Sequence, residues 1–92
     1  MTADPIARRV VVRGKVQGVF FRDTVRGAAG EHDVAGWVRN RCDGAVEAEL
    51  EGPREAVDAV VEVCRGGPSG AEVTGVEVEE REPEGESGFE VR

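Results

Sequence analysis

The sequence is poor in the residues that build metal sites and disulfide frameworks. It has one histidine, two cysteines and no tyrosine, and neither cysteine belongs to a CxxC pair. Metal-ligand spacing is therefore missing, and two cysteines do not make a disulfide framework. We expect Cys42 to lie in an exposed turn and Cys64 to pack within a helix. This composition argues against a metal carrier.

Long apolar runs are also absent. No stretch approaches the roughly 18 apolar residues that a membrane-spanning helix needs, and residues 1–9 lack the apolar centre of a secretory signal. We therefore expect a cytoplasmic protein that does not bind membranes. With 92 residues there is room for one core, so residues 1–92 are predicted to form a single domain.

Charge is distributed unevenly along the chain. The net charge of −7 argues against nucleic acid as a general partner. Residues 1–41 carry eight Lys or Arg and four Asp or Glu, a net of +4, whereas residues 42–92 carry four Arg and fifteen Asp or Glu, a net of −11. The basic first half can attract a small anionic ligand although the whole molecule is negative.

Apolar periodicity predicts the elements of the first half. The valines at 10–12 predict a central strand that is bounded by Gly14. A helix from about Arg22 to Glu31 follows, because apolar positions recur at helical spacing on one face: Phe21, Val25, Ala28, Ala29 and His32. Residues 34–40 and 45–51 then read as two strands of a hairpin, with Asp43 and Gly44 in the turn.

The second half continues this pattern. Residues 45–51 alternate, which predicts a dry face with Val46, Ala48 and Leu50 and a wet face with Glu47, Glu49 and Glu51. Gly52-Pro53 opens a second helix, with proline at the first helical position, and Gly66-Gly67-Pro68 ends it. Its buried stripe is predicted to contain Val57, Val60, Val61 and Cys64. Residues 72–80 predict a further strand with Val76 and Val78 inward, residues 81–88 predict a polar loop, and residues 89–92 are compatible with a short last strand.

The element order β-α-β-β-α-β is that of the ferredoxin-like split βαβ arrangement. We therefore predict an α+β two-layer sandwich in which two helices cover one face of a four-stranded antiparallel sheet, with right-handed crossovers. The fold alone does not indicate an activity.

The loop 14-GKVQGVFF-21 joins the first strand to the start of the first helix. Gly14 and Gly18 permit backbone conformations that let successive N–H groups bind an anion at the positive end of the helix dipole. Arg22 in the first helical turn would add a planar set of donors to phosphate oxygens. A cation at that helix end breaks a local rule, which often has a functional reason. A tight turn without further purpose is the alternative that these residues leave open.

Asn40 is the second candidate. It ends the second strand, immediately before the hairpin turn, where asparagine also has an ordinary structural explanation. In a split βαβ sheet, however, strands one and two both flank the third strand. Asn40 is therefore expected to face the loop that follows the first strand.

The segments GKVQGVFFR (14–22) and GWVRNRCDGAVE (36–47) closely resemble the two signature motifs of the acylphosphatase family. The resemblance extends through GPREAV, GGPSGAEV and the closing SGFEVR, so that it covers nearly the whole chain. It implies a ferredoxin-like fold and metal-free, cofactor-free hydrolysis of carboxyl-phosphate anhydrides. By the same resemblance, Arg22 binds the phosphate and Asn40 positions the attacking water. The phosphate cradle of loop amides maps onto Lys15, Val16, Gln17, Gly18, Val19 and Phe20.

The chain departs from the family pattern after the first helix. Where the family usually has Leu-Gly-Leu, this sequence has His32, Asp33 and Val34. We expect His32 to be a partly buried structural histidine, and Asp33 to tolerate a left-handed helix end only moderately. These changes put stability in question more than activity. Arg41 adds a charge beside Asn40 that can assist substrate attraction.

Two other functions are alternatives to this hydrolase. A non-catalytic module that binds phosphate or acyl phosphate is disfavoured because both Arg22 and Asn40 are present. An RNA-binding module of the same fold would stack bases on sheet aromatics, whereas the outward glutamates of residues 45–51 would repel a phosphate backbone. The same glutamates fit a solvated monomer. The sequence does not identify the physiological acyl phosphate.

Overall fold

The computed structural model describes residues 4–92, so part of the N-terminal segment considered above lies outside it. These residues form one five-stranded sheet and two helices, with strand order β4-β1-β3-β2-β5. In chain order the elements are β1 (Ile6–Lys15), α1 (Phe21–His32), β2 (Ala35–Asn40), β3 (Val46–Gly52), α2 (Arg54–Gly66), β4 (Glu72–Arg81) and β5 (Phe89–Val91). Neither helix in this part of the chain is long and apolar enough to cross a membrane.

The sheet has five strands rather than the predicted four, because residues 89–91 form the short last strand with which their sequence was compatible, and the sheet is not wholly antiparallel. β1 pairs antiparallel with β3 and β4, and β2 pairs antiparallel with β3. The last strand, β5, instead pairs parallel with β2. The loop after β4 carries the chain from one edge of the sheet to the other, where Phe89 and Val91 pack against the core. The prediction of four antiparallel strands was therefore wrong, whereas the α+β class and the order of the first six elements are confirmed.

The core lies between the sheet and the two helices, which also pack against each other. The predicted apolar stripes are confirmed in α1 (Phe21, Val25, Ala28 and Ala29), in α2 (Val57, Val60, Val61 and Cys64) and in β3 (Val46, Ala48 and Leu50). Burial of a valine or leucine side chain contributes about 1.5–3 kcal/mol, so these stripes fix the layer arrangement. Cys42 is exposed and Cys64 is buried, as predicted, and burial raises the pKa of the Cys64 thiol to about 12.

The predicted wet face of β3 is closed at two of its three glutamates. Glu47 is only 3% exposed, because Arg9 and Arg39 lie over it on the neighbouring strands β1 and β2. Nε and Nη2 of Arg39 approach Oε1 of Glu47 at 2.9 and 2.7 Å, and Nε of Arg9 donates to Oε2. Burial opposes ionisation, but the hydrogen bonds from both arginines lower the pKa of Glu47 below its usual value. The expectation that Glu47 faces solvent was therefore wrong.

Glu51 is buried for a different reason. Its carboxylate accepts main-chain N–H groups of the loop that leads to β5, from Glu84 at 2.7 Å, Gly85 at 3.1 Å and Glu86 at 2.9 Å. One carboxylate thus holds three consecutive amides and fixes the path of the chain towards β5. The prediction that Glu51 is exposed to solvent was wrong because the sequence does not show where that loop crosses the sheet.

Three further expectations concern single residues of α1 and β4 and the residue that follows α1. His32 is exposed rather than partly buried, because α1 ends there and the buried Val34 takes the next core position. Asp33 caps the helix in the left-handed conformation, with φ 55° and ψ 43°, as anticipated. Val78 lies opposite the buried Val10, on the inward face as predicted, but it is 40% exposed because β4 is an edge strand.

Candidate active site

The sheet order brings the loop after β1 and the C-terminal end of β2 to the same end of the sheet. β3 lies between β1 and β2 and is antiparallel to both, so these two strands run in the same direction. β1 ends at Lys15 and β2 ends at Asn40. The predicted arrangement, in which Asn40 lies at the same end of the sheet as the glycine-containing loop, is thereby confirmed.

The last residues of β1 and the loop between β1 and α1 adopt conformations that glycine permits. Gly14 and Gly18 have φ of 127° and 76°, and a Cβ atom on Gly14 would lie 2.1 Å from the main-chain oxygen of Glu72. Phe20 is also left-handed, with φ 63°. Within residues 4–92, the main-chain N–H groups of residues 17–20 donate to no protein acceptor, which leaves them available to an anion.

Arg22 is the second residue of α1, directly after this loop. Its Nη1 atom donates to the main-chain oxygen of Arg92 at 3.5 Å, a long bond that leaves most of the guanidinium donors for a ligand. The next residue, Asp23, lies in the first turn of α1, where a carboxylate interacts favourably with the positive end of the helix dipole. Asp23 is itself paired with Arg26 at 3.3 Å. The net positive character of the helix start is therefore carried by Arg22 and the amides.

The loop, Arg22 and Asn40 line one cavity of about 310 Å³. This volume is at the low end of the range for small-molecule sites. Its lining residues come from the loop, from α1, from β2 and from β5: Val16, Gly18, Phe20, Phe21, Arg22, Asp23, Asn40 and Val91. Of the predicted site residues, Val16, Gly18, Phe20, Arg22 and Asn40 thus share one cavity. Lys15, Gln17 and Val19 do not line it: Lys15 is exposed, and Val19 packs against the core.

Gln17 has a role that the sequence interpretation missed. Its side chain is half-buried, and Nε2 donates to the main-chain oxygens of Arg41 at 2.7 Å and Ala45 at 3.0 Å. The carboxamide therefore ties the loop to the hairpin turn that follows Asn40. A polar side chain between apolar residues is the only signal in the sequence, and it does not indicate which carbonyls the side chain reaches.

The contribution of β5 was also missed. Val91 lines the cavity, and the main-chain oxygen of Arg92 accepts the hydrogen bond from Arg22. No local sequence pattern predicts this contribution, because it depends on the parallel pairing of β5 with β2.

Other arginines surround the cavity without lining it. Arg41, expected to help attract substrate, pairs with Asp43 at 3.1 Å and lines a neighbouring crevice with Arg9, Arg39 and Asn40. On the open face of the sheet, the guanidinium carbons of Arg39 and Arg92 lie 5.5 and 5.0 Å from the ring centroid of Trp37. Asn40 thus lies where a cationic surface meets the cavity.

Apart from the carboxylate of Asp23, which is paired with Arg26, the polar groups of the cavity are neutral and cationic donors. Arg22 and the loop amides can neutralise oxyanions, and the carboxamide of Asn40 can both accept from and donate to a water molecule. In the part of the chain that the structure describes, no three His, Cys, Asp or Glu side chains are grouped closely enough to hold a metal ion. This arrangement suits a reaction that develops negative charge on phosphoryl oxygens.

Comparisons with known proteins agree with this chemistry. The acylphosphatase family model matches residues 8–91. An acylphosphatase from Haloarcula marismortui is 55% identical over 83 residues, which cover 90% of this chain and 91% of that relative. The crystal structure of acylphosphatase from Bacillus subtilis superposes with a TM-score of 0.91 at 41% identity and covers 95% of this chain and 98% of that one.

A further solved structure, of an acylphosphatase from Coxiella burnetii, has a TM-score of 0.92 and 42% identity, covering 97% of this chain and 94% of that one. The similarity thus includes sequence and fold and extends over nearly the whole of each relative. It supports the enzymatic interpretation over that of a non-catalytic binding module. The chain therefore belongs to the acylphosphatase family.

Proposed function

We propose that this chain hydrolyses the carboxyl-phosphate bond of small acyl phosphates to a carboxylate and inorganic phosphate, with Arg22 and Asn40 as its catalytic residues. The reaction takes place on a ferredoxin-like sandwich and needs no metal or cofactor from the protein. The observation that carries this proposal is the presence of Arg22, Asn40 and the loop residue Gly18 in one cavity. We further propose that the protein acts as a monomer in the cytoplasm.

Phosphate binding is assigned to the loop and Arg22. The N–H groups of residues 17–20 have no protein acceptor within residues 4–92, and they precede the positive end of α1. Arg22 adds a fork of charged donors at the same position. Together these groups hold the phosphoryl oxygens and offset the charge that builds up on them in the transition state.

Water positioning is assigned to Asn40. Its carboxamide oxygen accepts a hydrogen bond from the water while its NH₂ group donates to a phosphoryl oxygen. The water oxygen then forms a bond to phosphorus while the bond between phosphorus and the acyl oxygen breaks. The carboxylate leaves with that electron pair, and the water proton passes to the phosphate product or to solvent. A carboxylate is a good leaving group, so orientation and charge stabilisation replace a strong base.

The test is hydrolysis of benzoyl phosphate by the purified protein in ¹⁸O-labelled water with EDTA. We expect rapid turnover, with the label in inorganic phosphate and none in benzoate, because water attacks phosphorus. The Asn40→Ala variant should lose about 10²-fold or more in kcat. Label in benzoate would place the attack at the carbonyl carbon and contradict the mechanism.

Absence of turnover by the wild-type protein, together with protection from thermal unfolding by inorganic phosphate, would return the protein to the class of phosphate-binding modules. Turnover of benzoyl phosphate and thermal protection by inorganic phosphate, measured on the same protein samples, distinguish the enzyme from the binding module.

A further inference from the structure

Three consecutive apolar residues at the junction between the loop and α1 have different surroundings. Phe21 is only 2% exposed and belongs to the core, and Val19 packs against the core from the surface. Phe20, between them, is 79% exposed, which is the highest exposure of any large apolar side chain among residues 4–92. The left-handed backbone of Phe20, with φ 63°, turns its side chain away from the core that its neighbours enter.

This position suits phenylalanine poorly by every local criterion. A positive φ is uncommon for a bulky residue and is favoured by glycine or asparagine. Phe20 is also the N-cap residue of α1, where the side-chain oxygen of Ser, Thr, Asp or Asn would accept a main-chain N–H, and it forms no side-chain cap bond. Strained, exposed residues of this kind cluster at functional sites.

The location of Phe20 indicates what it contacts. Phe20 lines the cavity that contains Arg22 and Asn40. The same cavity has an apolar part, formed by Phe20, Val16, Phe21 and Val91. A phosphoryl group held by Arg22 and the loop amides would leave the rest of an acyl phosphate beside this apolar part.

We propose that the Phe20 side chain forms the apolar wall of an acyl subsite, and that the protein therefore favours aromatic and bulky apolar acyl groups over acetyl. This inference rests on the proposed function and adds to it the class of acyl group. The role is distinct from that of the Phe20 amide in the phosphate cradle. An aromatic acyl group would contact the ring edge-to-face or offset-stacked, the arrangements that aromatic pairs prefer.

The kinetic test compares benzoyl phosphate with acetyl phosphate for the wild type and for Phe20→Asn and Phe20→Leu. Asparagine tolerates the left-handed backbone but is polar, whereas leucine remains apolar. Relative to wild type, Phe20→Asn should lower the kcat/KM ratio of benzoyl to acetyl phosphate by about tenfold, through KM for benzoyl phosphate. Phe20→Leu should lie between. Val78→Ala, a truncation of the other exposed large apolar residue, is the control and should leave the ratio unchanged.

A binding test separates this inference from the proposed function. Dissociation constants are measured for benzylphosphonate and methylphosphonate, which cannot be hydrolysed at a carboxyl-phosphate bond. Wild type should bind benzylphosphonate about tenfold more tightly, and Phe20→Asn should remove the difference. That result supports the subsite even if the protein hydrolyses neither acyl phosphate.

The inference is overturned if wild type binds both phosphonates equally. It is also overturned if Phe20→Asn lowers activity on both acyl phosphates by the same factor, which would assign Phe20 to the loop backbone alone.

Discussion

The side-chain Nε2 of Gln17 donates hydrogen bonds to the main-chain oxygens of Arg41, at 2.7 Å, and Ala45, at 3.0 Å. These two carbonyls flank the hairpin turn that follows Asn40, and the turn is closed by the bond from the Arg41 N–H to Ala45 at 2.8 Å. One carboxamide therefore fixes the phosphate loop relative to the strand end that carries Asn40. Because this side chain joins the phosphate loop to the hairpin turn after Asn40, we assign Gln17 a positioning role.

Gln17→Met tests this role, because methionine keeps the length of the side chain and removes both donors. We expect a loss of about 1–2 kcal/mol in the free energy of unfolding and a drop of about tenfold in kcat. KM should change less than kcat, since the loop amides remain present while their distance to Asn40 is relaxed. Denaturant unfolding and steady-state kinetics measure the two effects. If Gln17→Met lowers stability but leaves kcat unchanged, Gln17 stabilises the fold and does not position the catalytic groups.

Asp33→Gly should stabilise the protein by about 0.5–1 kcal/mol. Asp33 occupies the left-handed position at the end of α1, with φ 55°, where glycine pays no steric cost. His32→Leu is the matched comparison: because His32 is exposed, leucine there gains no core burial and should leave stability within about 0.5 kcal/mol. Thermal unfolding of the two variants checks both values. A stabilising His32→Leu with a neutral Asp33→Gly would contradict this description of the helix end.

Glu47→Gln should weaken the fold in a pH-dependent way. Hydrogen bonds from Arg39 and Arg9 outweigh burial and lower the pKa of Glu47 below 4.5, its value in an unfolded chain. A lowered pKa means that the stabilisation is present above about pH 4.5 and is lost as pH falls through the folded value. At pH 7 we expect Glu47→Gln to be less stable by about 2 kcal/mol.

The difference from wild type should shrink as pH falls below about 4.5 and Glu47 becomes protonated in the wild type as well. Urea unfolding at several pH values follows it. A difference that stays constant over this range would show that the ion pair is not its cause.

Glu51→Ala should release the loop that leads to β5. The carboxylate accepts three main-chain N–H groups, from Glu84, Gly85 and Glu86, so its loss leaves these amides without an acceptor. We expect a cost of about 2 kcal/mol and faster amide exchange confined to residues 84–91. Hydrogen exchange measured by mass spectrometry resolves this segment. Uniformly faster exchange over the whole chain would contradict a local latch.

The sequence predicted those parts of the fold that depend on local periodicity. The buried stripes of both helices and the dry face of β3 follow from spacing alone, and the end of the sheet shared by Asn40 and the loop follows from the element order. Glu47 and Glu51 show the limit of that reasoning. Alternation correctly gives the face on which they lie, but whether that face is wet depends on the side chains and loops that cover it, here Arg9, Arg39 and the residues before β5.

Some residues of the site could be predicted from the sequence and others could not. Arg22 and Asn40 stand out because arginine at a helix start and asparagine at a strand end have recognisable chemistry. The Gln17 contacts and the contribution of Val91 depend on a hairpin turn and a parallel strand pair that no local pattern specifies. Phe20 is visible in the sequence only as one apolar residue in a row of three, and its exposure follows from the left-handed backbone.

Arg22 and Asn40 have separate roles, in phosphate binding and in water positioning, and inhibition by inorganic phosphate measured beside turnover tests that separation most directly. With benzoyl phosphate as substrate, Asn40→Ala should lose about 10²-fold or more in kcat while its inhibition constant for phosphate stays within about threefold of wild type. Arg22→Ala should raise that inhibition constant by about tenfold or more. An Asn40→Ala variant with wild-type kcat, or an Arg22→Ala variant that binds phosphate as tightly as wild type, would contradict the account.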